Sequence, residues 1–338
     1  LLVAAGVIVL SPLSVESQEV DRPAQIAYWD LQTGSRIAYS AHLANDNKPL
    51  PPVIFLHGGP GWAVLKSDRD FYGQIAQFGY DVYLYDQVGS GYSERLESLQ
   101  AYTIERSLQD LDAIREVIDA DDMILVGHNT GAALALRYMA RFPERVAQVV
   151  LVSPAPLADA SRFFHQFSRT ASPRGLLPPP LEVRPLLAGR LAAYGSNAAQ
   201  RLVPQEQAGA WMEAAISPGA FTCRGRAEEA PTVVGEGFNY FVNMRLDRRL
   251  RQSDDPRPHL AENLTPALIL YSECNFLPWA VIQQYDEALV ADTIFYFEGA
   301  GHFIYPTREE DMLAVIGAFL LDEPYPKEPY GDARDPRP

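Results

Sequence analysis

Short apolar runs alternate with amphipathic segments along most of the chain. Continuous apolar runs predict strands buried on both faces, at residues 52–56, 81–85, 123–126, 146–152, 267–271 and 293–297. Apolar residues at helical spacing predict helices at residues 67–78, 104–118, 132–142, 278–289 and 308–321. A β-hairpin is predicted at 26–41, and Thr103 is a candidate N-cap. This alternation predicts an α/β fold with a mostly parallel sheet flanked by helices.

The alternation stops after Pro154 and resumes near residue 263, which predicts an insertion between two strands. Residues 155–262 are rich in Pro, Ala, Arg and charge and show helical patches. Segments inserted in this way typically cover a site at the carboxyl ends of the strands. We therefore expect a core at 25–154 and 263–322, a mainly helical cap at 155–262, and a Pro-rich surface tail at 323–338.

The first ten residues, LLVAAGVIVL, form an apolar segment too short to span a bilayer. The segment predicts the hydrophobic region of a signal peptide, or the end of an anchor, within a signal-like stretch at 1–24. An exported protein, periplasmic or secreted, or a membrane-tethered one is the expectation. A buried strand or helix is the alternative.

Charge and cysteine content narrow the function classes. The formal net charge of −15 argues against nucleic acids and anionic membrane surfaces as partners. The two cysteines, Cys223 and Cys274, form no metal-binding pattern, and we expect no metal and no cofactor. They predict one disulfide if the protein is exported, or else two separate thiols.

The clearest chemical motif lies between the strand at 123–126 and the following helix. Gly127-His128-Asn129-Thr130-Gly131 has the spacing of the nucleophile elbow G-x-S-x-G, a strained turn that lifts one side chain above the sheet. The two glycines allow strand and helix backbones to approach closely. Asn129 occupies the position of the nucleophile, and an amide is a poor nucleophile. His128 is interpreted as a packing residue.

Further motifs in the expected order identify a family resemblance. HGGPG at 57–61, DQVGSGYS at 86–93, RFPERVAQVVLVSPAP at 141–156 and GAGHF at 299–303 resemble segments of the proline iminopeptidase branch of the α/β-hydrolase superfamily. Val88 replaces the arginine of the family's second motif. The resemblance covers residues 25–157 and 262–321 and is weak in the insertion.

The resemblance implies acyl or aminoacyl hydrolysis through a Ser-His-Asp site. His302 matches the base, Asn275 the position of the acid, and Gly59 and Thr130 the backbone donors of the oxyanion hole. Glu273 and Asp159 are alternative acids. The resemblance also places His57, Gly58, Trp211 and Glu213 as candidate residues for binding a small molecule or short peptide. For Glu213, a solvated helical glutamate is the alternative.

Asparagine at both the nucleophile and acid positions predicts an inactive or strongly impaired hydrolase. One alternative is a pseudoenzyme that binds a ligand without catalysis, and another is a binding module without catalytic ancestry. A third is deamidation of Asn129, since aspartate is the elbow nucleophile of the epoxide hydrolase-like relatives of this fold. Cys274 is disfavoured as a nucleophile because it lies outside the elbow.

Overall fold

The structure is a computed structural model. It describes residues 25–45, 50–157, 183–215, 221–223, 225–226 and 237–337, with side chains of the third range described to residue 212. The predicted signal-like stretch at 1–24 and the alternative acid Asp159 lie outside these ranges. The side chain of Glu213 does so as well.

Eight strands form one sheet in the order β1-β2-β4-β3-β5-β6-β7-β8. The strands are β1 Ala27–Asp30, β2 Arg36–His42, β3 Val53–Leu56, β4 Val82–Tyr85, β5 Met123–His128, β6 Val146–Val152, β7 Ala267–Cys274 and β8 Asp292–Gly301. β2 pairs antiparallel with β1 and with β4, and the strands from β4 to β8 are parallel. The predicted α/β fold with a mostly parallel sheet is confirmed.

Nine α-helices are described alongside the sheet. They are α1 Lys66–Tyr72, α2 Ile104–Val117, α3 Thr130–Arg141, α4 Val183–Ala193, α5 Ala199–Leu202, α6 Gln205–Ala215, α7 Tyr240–Gln252, α8 Trp279–Asp286 and α9 Tyr305–Leu321. The hydroxyl of Thr103 accepts a hydrogen bond from the Arg106 N–H at 3.0 Å, so Thr103 caps α2 as predicted. Among the described residues, no helix is both long and apolar enough to cross a bilayer.

The central strands bury both of their faces. All four residues of β3 and all six of β5 are buried. Successive side chains point to opposite faces, so Ile54 and Leu56 pack in the layer that contains α2 and α3. Val53 and Phe55 pack in the layer that contains α1 and α9. This two-sided burial explains why the strands read as continuous apolar runs.

Some element boundaries differ from the sequence prediction. The helix predicted at 67–78 is α1 followed by a 3₁₀ segment, Gly73–Phe78, which ends at Gly79 in the left-handed conformation. β8 continues to Gly301 because its ladder with β7 continues to the Cys274–Gly301 pair. The helices α4 to α7 lie within the insertion, residues 155–262, and its described part contains no strand.

The C-terminal tail lies against the core. The Tyr330 N–H donates to the Ile294 carbonyl at 2.7 Å, and the Trp279 indole N–H donates to the Ala333 carbonyl at 3.1 Å. The Arg337 guanidinium donates to the Asn275 and Leu277 carbonyls at 3.4 and 3.3 Å. The tail therefore reaches back to the loop that follows β7.

Candidate active site

The turn between β5 and α3 presents Asn129 in a strained conformation. Its φ of 52° and ψ of −114° lie in a region that residues with a Cβ rarely adopt. A Cβ on Gly131 would lie 2.0 Å from the Leu56 carbonyl oxygen, and one on Gly127 would lie 2.5 Å from the Ala132 backbone. Strand and helix backbones are thus in direct contact on both sides of the turn, as the GxxxG spacing requires.

Asn129, His302 and Asn275 form a continuous polar relay. The Asn129 Nδ2 lies 3.1 Å from the His302 Nε2, and the His302 Nδ1 lies 3.0 Å from the Asn275 Oδ1. β5, β7 and β8 bring the three residues together, since the carboxyl ends of parallel strands meet at one edge of the sheet. This is the order of contacts in a Ser-His-Asp triad, with amides at both ends.

The orientation of the Asn275 amide fixes the tautomer of His302. The Leu277 N–H donates to the Asn275 Oδ1 at 3.0 Å, so the oxygen, not the NH₂ group, occupies the side facing His302. The imidazole must then donate from Nδ1, and its Nε2 accepts from the Asn129 amide. The buried Asn275 Nδ2 has no partner among the described residues, which costs about 1–3 kcal/mol.

The HGGPG loop lies directly against Asn129. A Cβ on Gly58 would lie 2.8 Å from the Asn129 Cβ, so only glycine allows this approach. Gly59 lines the same pocket as Asn129 and has a left-handed φ of 51°. Thr130 is the first residue of α3, where N–H groups lack an acceptor within the helix. The two positions that match oxyanion donors thus belong to segments flanking Asn129.

His57 links the HGGPG loop to the loop that follows β4 through hydrogen bonds. The Gln87 N–H donates to its Nε2 at 3.0 Å, and its Nδ1 donates to the Gly58 carbonyl at 3.1 Å. Burial lowers the pKa of His57 to about 4, and the ring stays neutral. Both ring nitrogens are therefore engaged within the protein, and His57 does not line the pocket among the described residues.

Asp86 joins the second glycine-rich loop to the first. Its carboxylate accepts hydrogen bonds from the Val64 N–H at 2.8 Å and the Tyr92 N–H at 2.9 Å. A Cβ on Gly91 would lie 2.1 Å from that carboxylate, which explains why position 91 is a glycine. Val88, which replaces the family's arginine, is buried in the core. The DQVGSGYS segment therefore supports the pocket.

A pocket of about 70 Å³ opens beside Asn129 and His302. Aromatic and apolar side chains form most of its wall, together with Asp68 and His128. Its other lining residues are Gly58, Gly59, Trp62, Ala63, Leu65, Phe221, Phe276 and Phe303. A volume near 70 Å³ is enough for a small group to enter beside Asn129.

Asp68 is a pocket residue that sequence reasoning missed. Its carboxylate accepts hydrogen bonds from the Leu65 N–H at 3.0 Å and the Tyr305 hydroxyl at 2.9 Å. Nothing in a helical Lys-Ser-Asp-Arg segment distinguishes it from a solvated aspartate. Its burial follows only from the packing of α1 against α9.

The other candidate residues lie in different surroundings. Glu273 accepts a hydrogen bond from the Gly299 N–H at 2.7 Å, so its carboxylate contacts the end of β8, just before His302. Trp211 packs edge-on against Tyr240 with ring centres 5.9 Å apart and does not line the pocket. Cys274 forms a disulfide with Cys223. Within the described ranges, no cluster of His, Cys, Asp and Glu could hold a metal ion.

The histidines of the site are buried and neutral. Burial, opposed by a hydrogen bond with the His302 backbone and reinforced by the neighbouring His57, lowers the pKa of His128 to about 4. Burial, reinforced by His128, holds the pKa of His302 well below its usual range. The imidazole of His302 is therefore deprotonated at neutral pH, as a general base must be.

These buried histidines predict a loss of stability in acid. His57 and His128 have pKa values of about 4 in the folded protein against 6.5 when unfolded, so the unfolded chain binds protons first as the pH falls. Stability should be complete above pH 6.5 and decline towards pH 4. At pH 5 each histidine should cost about 2 kcal/mol.

Denaturant unfolding at pH 8 and pH 5 measures this effect. His57→Gln should remove its share of the pH dependence, whereas the matched change at the exposed His259 should leave the dependence intact. Equal pH dependence in the native protein and the His57→Gln variant would contradict the assignment.

Comparisons with known proteins give the same fold family as the strand order and the turn at Asn129. The model of the α/β hydrolase fold family matches residues 51–309. A proline iminopeptidase of Heyndrickxia coagulans is 25% identical over 313 residues, which cover 85% of this chain and 96% of that protein. Epoxide hydrolase A of Mycobacterium tuberculosis is 25% identical over 303 residues, which cover 80% and 90%.

Solved structures show the same fold. An esterase from Thermogutta terrifontis superposes with a TM-score of 0.64 at 15% identity, covering 88% of this chain and 99% of that one. A proline iminopeptidase of Mycobacterium smegmatis gives a TM-score of 0.55 at 18% identity, covering 88% and 98%. The chain belongs to the α/β-hydrolase family, on the branch similar to the proline iminopeptidases.

Proposed function

We propose that this protein binds a small carbonyl ligand in a hydrolase site that no longer carries out acyl transfer. The observation that carries the proposal is the relay Asn129–His302–Asn275, which keeps the spacing and tautomer of a triad without a hydroxyl or a carboxylate. Catalysis needs the nucleophile, whereas binding needs the loops and pocket. The loops that match the oxyanion side remain in place.

The chemistry of the relay supports the loss of turnover. The Asn129 amide nitrogen has no lone pair available for attack, because it is delocalised into the carbonyl. Asn275 carries no charge to stabilise an imidazolium at His302. Only binding and oxyanion stabilisation remain, which in a serine protease without its triad give roughly 10³–10⁴-fold acceleration over water.

The pocket indicates the class of ligand. Backbone N–H groups beside Asn129 favour a carbonyl or carboxylate oxygen, and the aromatic wall favours a short apolar substituent. Short-chain carboxylates and their amides fit both requirements. The relatives named proline iminopeptidase and esterase support an acyl or aminoacyl ligand.

A second candidate, an aspartate-nucleophile hydrolase, is favoured by the conformation of Asn129. At a ψ of −114° the Cα–Cβ bond nearly eclipses the bond to the Thr130 nitrogen. The Thr130 nitrogen can then attack the side-chain Cγ of Asn129. The side-chain NH₂ leaves as ammonia, and the succinimide that forms is opened by water to a carboxylate. The β-branched Thr130 opposes this reaction. The relative named epoxide hydrolase A supports the candidate.

Binding and labelling of the native protein test the proposal. We expect no adduct with a fluorophosphonate probe and hydrolysis of p-nitrophenyl butyrate no faster than the residual acceleration of roughly 10³–10⁴-fold over water. Butanoate or butanamide should show saturable binding by calorimetry. Asn129→Ala removes the amide without adding bulk to the pocket and should weaken binding. A probe adduct, or the absence of binding, would overturn the proposal.

Peptide mass analysis separates the two candidates. The binding protein should retain an unmodified Asn129. Replacement of the amide NH₂ by OH at the elbow peptide, together with esterase or epoxide hydrolase activity, would instead establish the aspartate-nucleophile candidate.

Export is part of the proposal. The Cys223–Cys274 disulfide supports it, because such bonds persist in oxidising compartments. The apolar segment at residues 1–10 supports a signal or anchor.

A further inference from the structure

A three-residue segment of the insertion, Phe221–Cys223, lies against the loop that carries His302. We call these residues the strap. The disulfide between Cys223 and Cys274 attaches the strap covalently to the end of β7, one residue before Asn275. The two cysteines are 51 positions apart, so the bond connects the insertion with the core.

The strap touches the backbone of the histidine loop. The His302 N–H donates to the Phe221 carbonyl at 2.8 Å. A Cβ on Gly301 would lie 2.0 Å from that oxygen and 2.7 Å from the Thr222 Cα. The position of the strap therefore fixes the backbone of the residue whose imidazole completes the relay.

The Phe221 ring forms one wall of the pocket. It meets Trp62, Phe276 and Phe303 edge-on, with ring centres 5.8, 5.8 and 5.7 Å apart. The centre of the His302 ring lies 6.0 Å away. Phe221 is 8% exposed and His302 is 2% exposed, so the strap helps to exclude water from the imidazole.

Apart from the disulfide, the described contacts between the strap and the core are non-covalent. They are the hydrogen bond to His302, the close approach to the Gly301 backbone and the rings around Phe221. A disulfide restricts the separation of the segments that it joins, and its loss allows local opening. Both cysteines are half-buried, so neither residue is enclosed in the core.

We propose that the Cys223–Cys274 disulfide sets the size of the ligand pocket and the access of solvent to His302. A dithiol reductant supplies two electrons and two protons. It cleaves the S–S bond to two cysteine thiols and becomes a cyclic disulfide itself. The strap then moves away from His302, and the pocket admits larger acyl groups than the oxidised form. Only the ligand-size part of the inference rests on the proposed function.

Acylation of histidine by diethylpyrocarbonate tests the inference without any ligand. We expect His302 to react at least about tenfold faster after treatment with dithiothreitol, because local opening exposes the ring. His57 serves as an internal reference, since both of its ring nitrogens are bonded to Gln87 and Gly58 and none of its described hydrogen bonds involves the strap. Equal His302 reactivity in both redox forms, or a parallel rise at His57, would overturn the proposal.

Two variants distinguish the effect of the Cys223–Cys274 disulfide from the effect of the Phe221 ring. Cys223→Ser with Cys274→Ser should match the reduced protein without reductant. Phe221→Ala keeps the disulfide and the backbone hydrogen bond, so it should enlarge the pocket in the oxidised protein while His302 reactivity still rises on treatment with dithiothreitol. If the double variant does not fold, reduction of the folded native protein remains the decisive measurement.

Ligand size provides the second readout. The ratio of the affinities for phenylacetate and butanoate should rise on reduction, because the wall formed by Phe221 is withdrawn. An unchanged ratio would overturn the assignment of the strap as a size filter. Failure of both ligands to bind would instead contradict the proposed function and leave the result for His302 reactivity standing.

Discussion

Replacing Asn129 by serine and Asn275 by aspartate together should raise the hydrolysis of p-nitrophenyl butyrate at least about 10⁴-fold above the native chain. The double change restores a hydroxyl next to the His302 Nε2 and a carboxylate next to the Nδ1. The distances of 3.1 and 3.0 Å already lie within hydrogen-bonding range. Steady-state kinetics and labelling by a fluorophosphonate probe measure the gain.

The single variants distinguish the contributions of the two positions. In trypsin, an acid-to-amide change lowers kcat about 10⁴-fold, largely because it favours the wrong tautomer. Here the Leu277 N–H holds the Asn275 oxygen towards His302, which preserves the correct tautomer. Asn129→Ser alone should therefore lie less than about 10⁴-fold below the double variant. Asn275→Asp alone should remain as slow as the native protein.

A further substitution controls for adventitious activity. His302→Ala in the double variant should return hydrolysis to the native level, because serine then lacks a base. If the double variant remained unreactive towards both substrate and probe while folding normally, the relay would not be a converted triad.

Much of this site could be predicted from the sequence. The strand periodicity and the order of the motifs predict which segments follow the carboxyl ends of parallel strands. The structure brings Asn129, His302 and Asn275 into contact at that edge. The positions of these side chains depend on local chain geometry, above all on the glycines that close contacts of the backbone require, and this is why the sequence indicates them.

Other features depend on contacts between distant parts of the chain. The tautomer of His302 depends on the Leu277 N–H, whose direction follows from the loop conformation after β7. Phe221 lines the pocket because the disulfide between Cys223 and Cys274 holds it there. The sequence alone does not decide whether these two cysteines form a disulfide or remain separate thiols. The HGGPG motif marks His57 but does not reveal that both ring nitrogens bind within the protein.

Replacing Gly131 by alanine should destabilise the protein by more than about 4 kcal/mol. The added Cβ would lie 2.0 Å from the Leu56 carbonyl oxygen, 2.6 Å from the Leu56 carbonyl carbon and 2.8 Å from the His57 carbonyl oxygen. All three atoms belong to the backbone at the end of β3. No side-chain rotation can relieve the contact, so α3 or β3 must move.

Gly209 in α6 provides the matched control. A Cβ there would meet the Gln205 Nε2 at 3.5 Å and the Phe238 ring at 3.9 Å, which are ordinary contacts. Gly209→Ala should therefore stabilise the protein by about 0.5–1 kcal/mol through helix propensity. Guanidinium unfolding of both variants compares a glycine required by close backbone packing with one that is only tolerated. Similar stability changes at the two positions would show that α3 and β3 do not meet as closely as the elbow requires, and the position of Asn129 beside His302 would lose its structural basis.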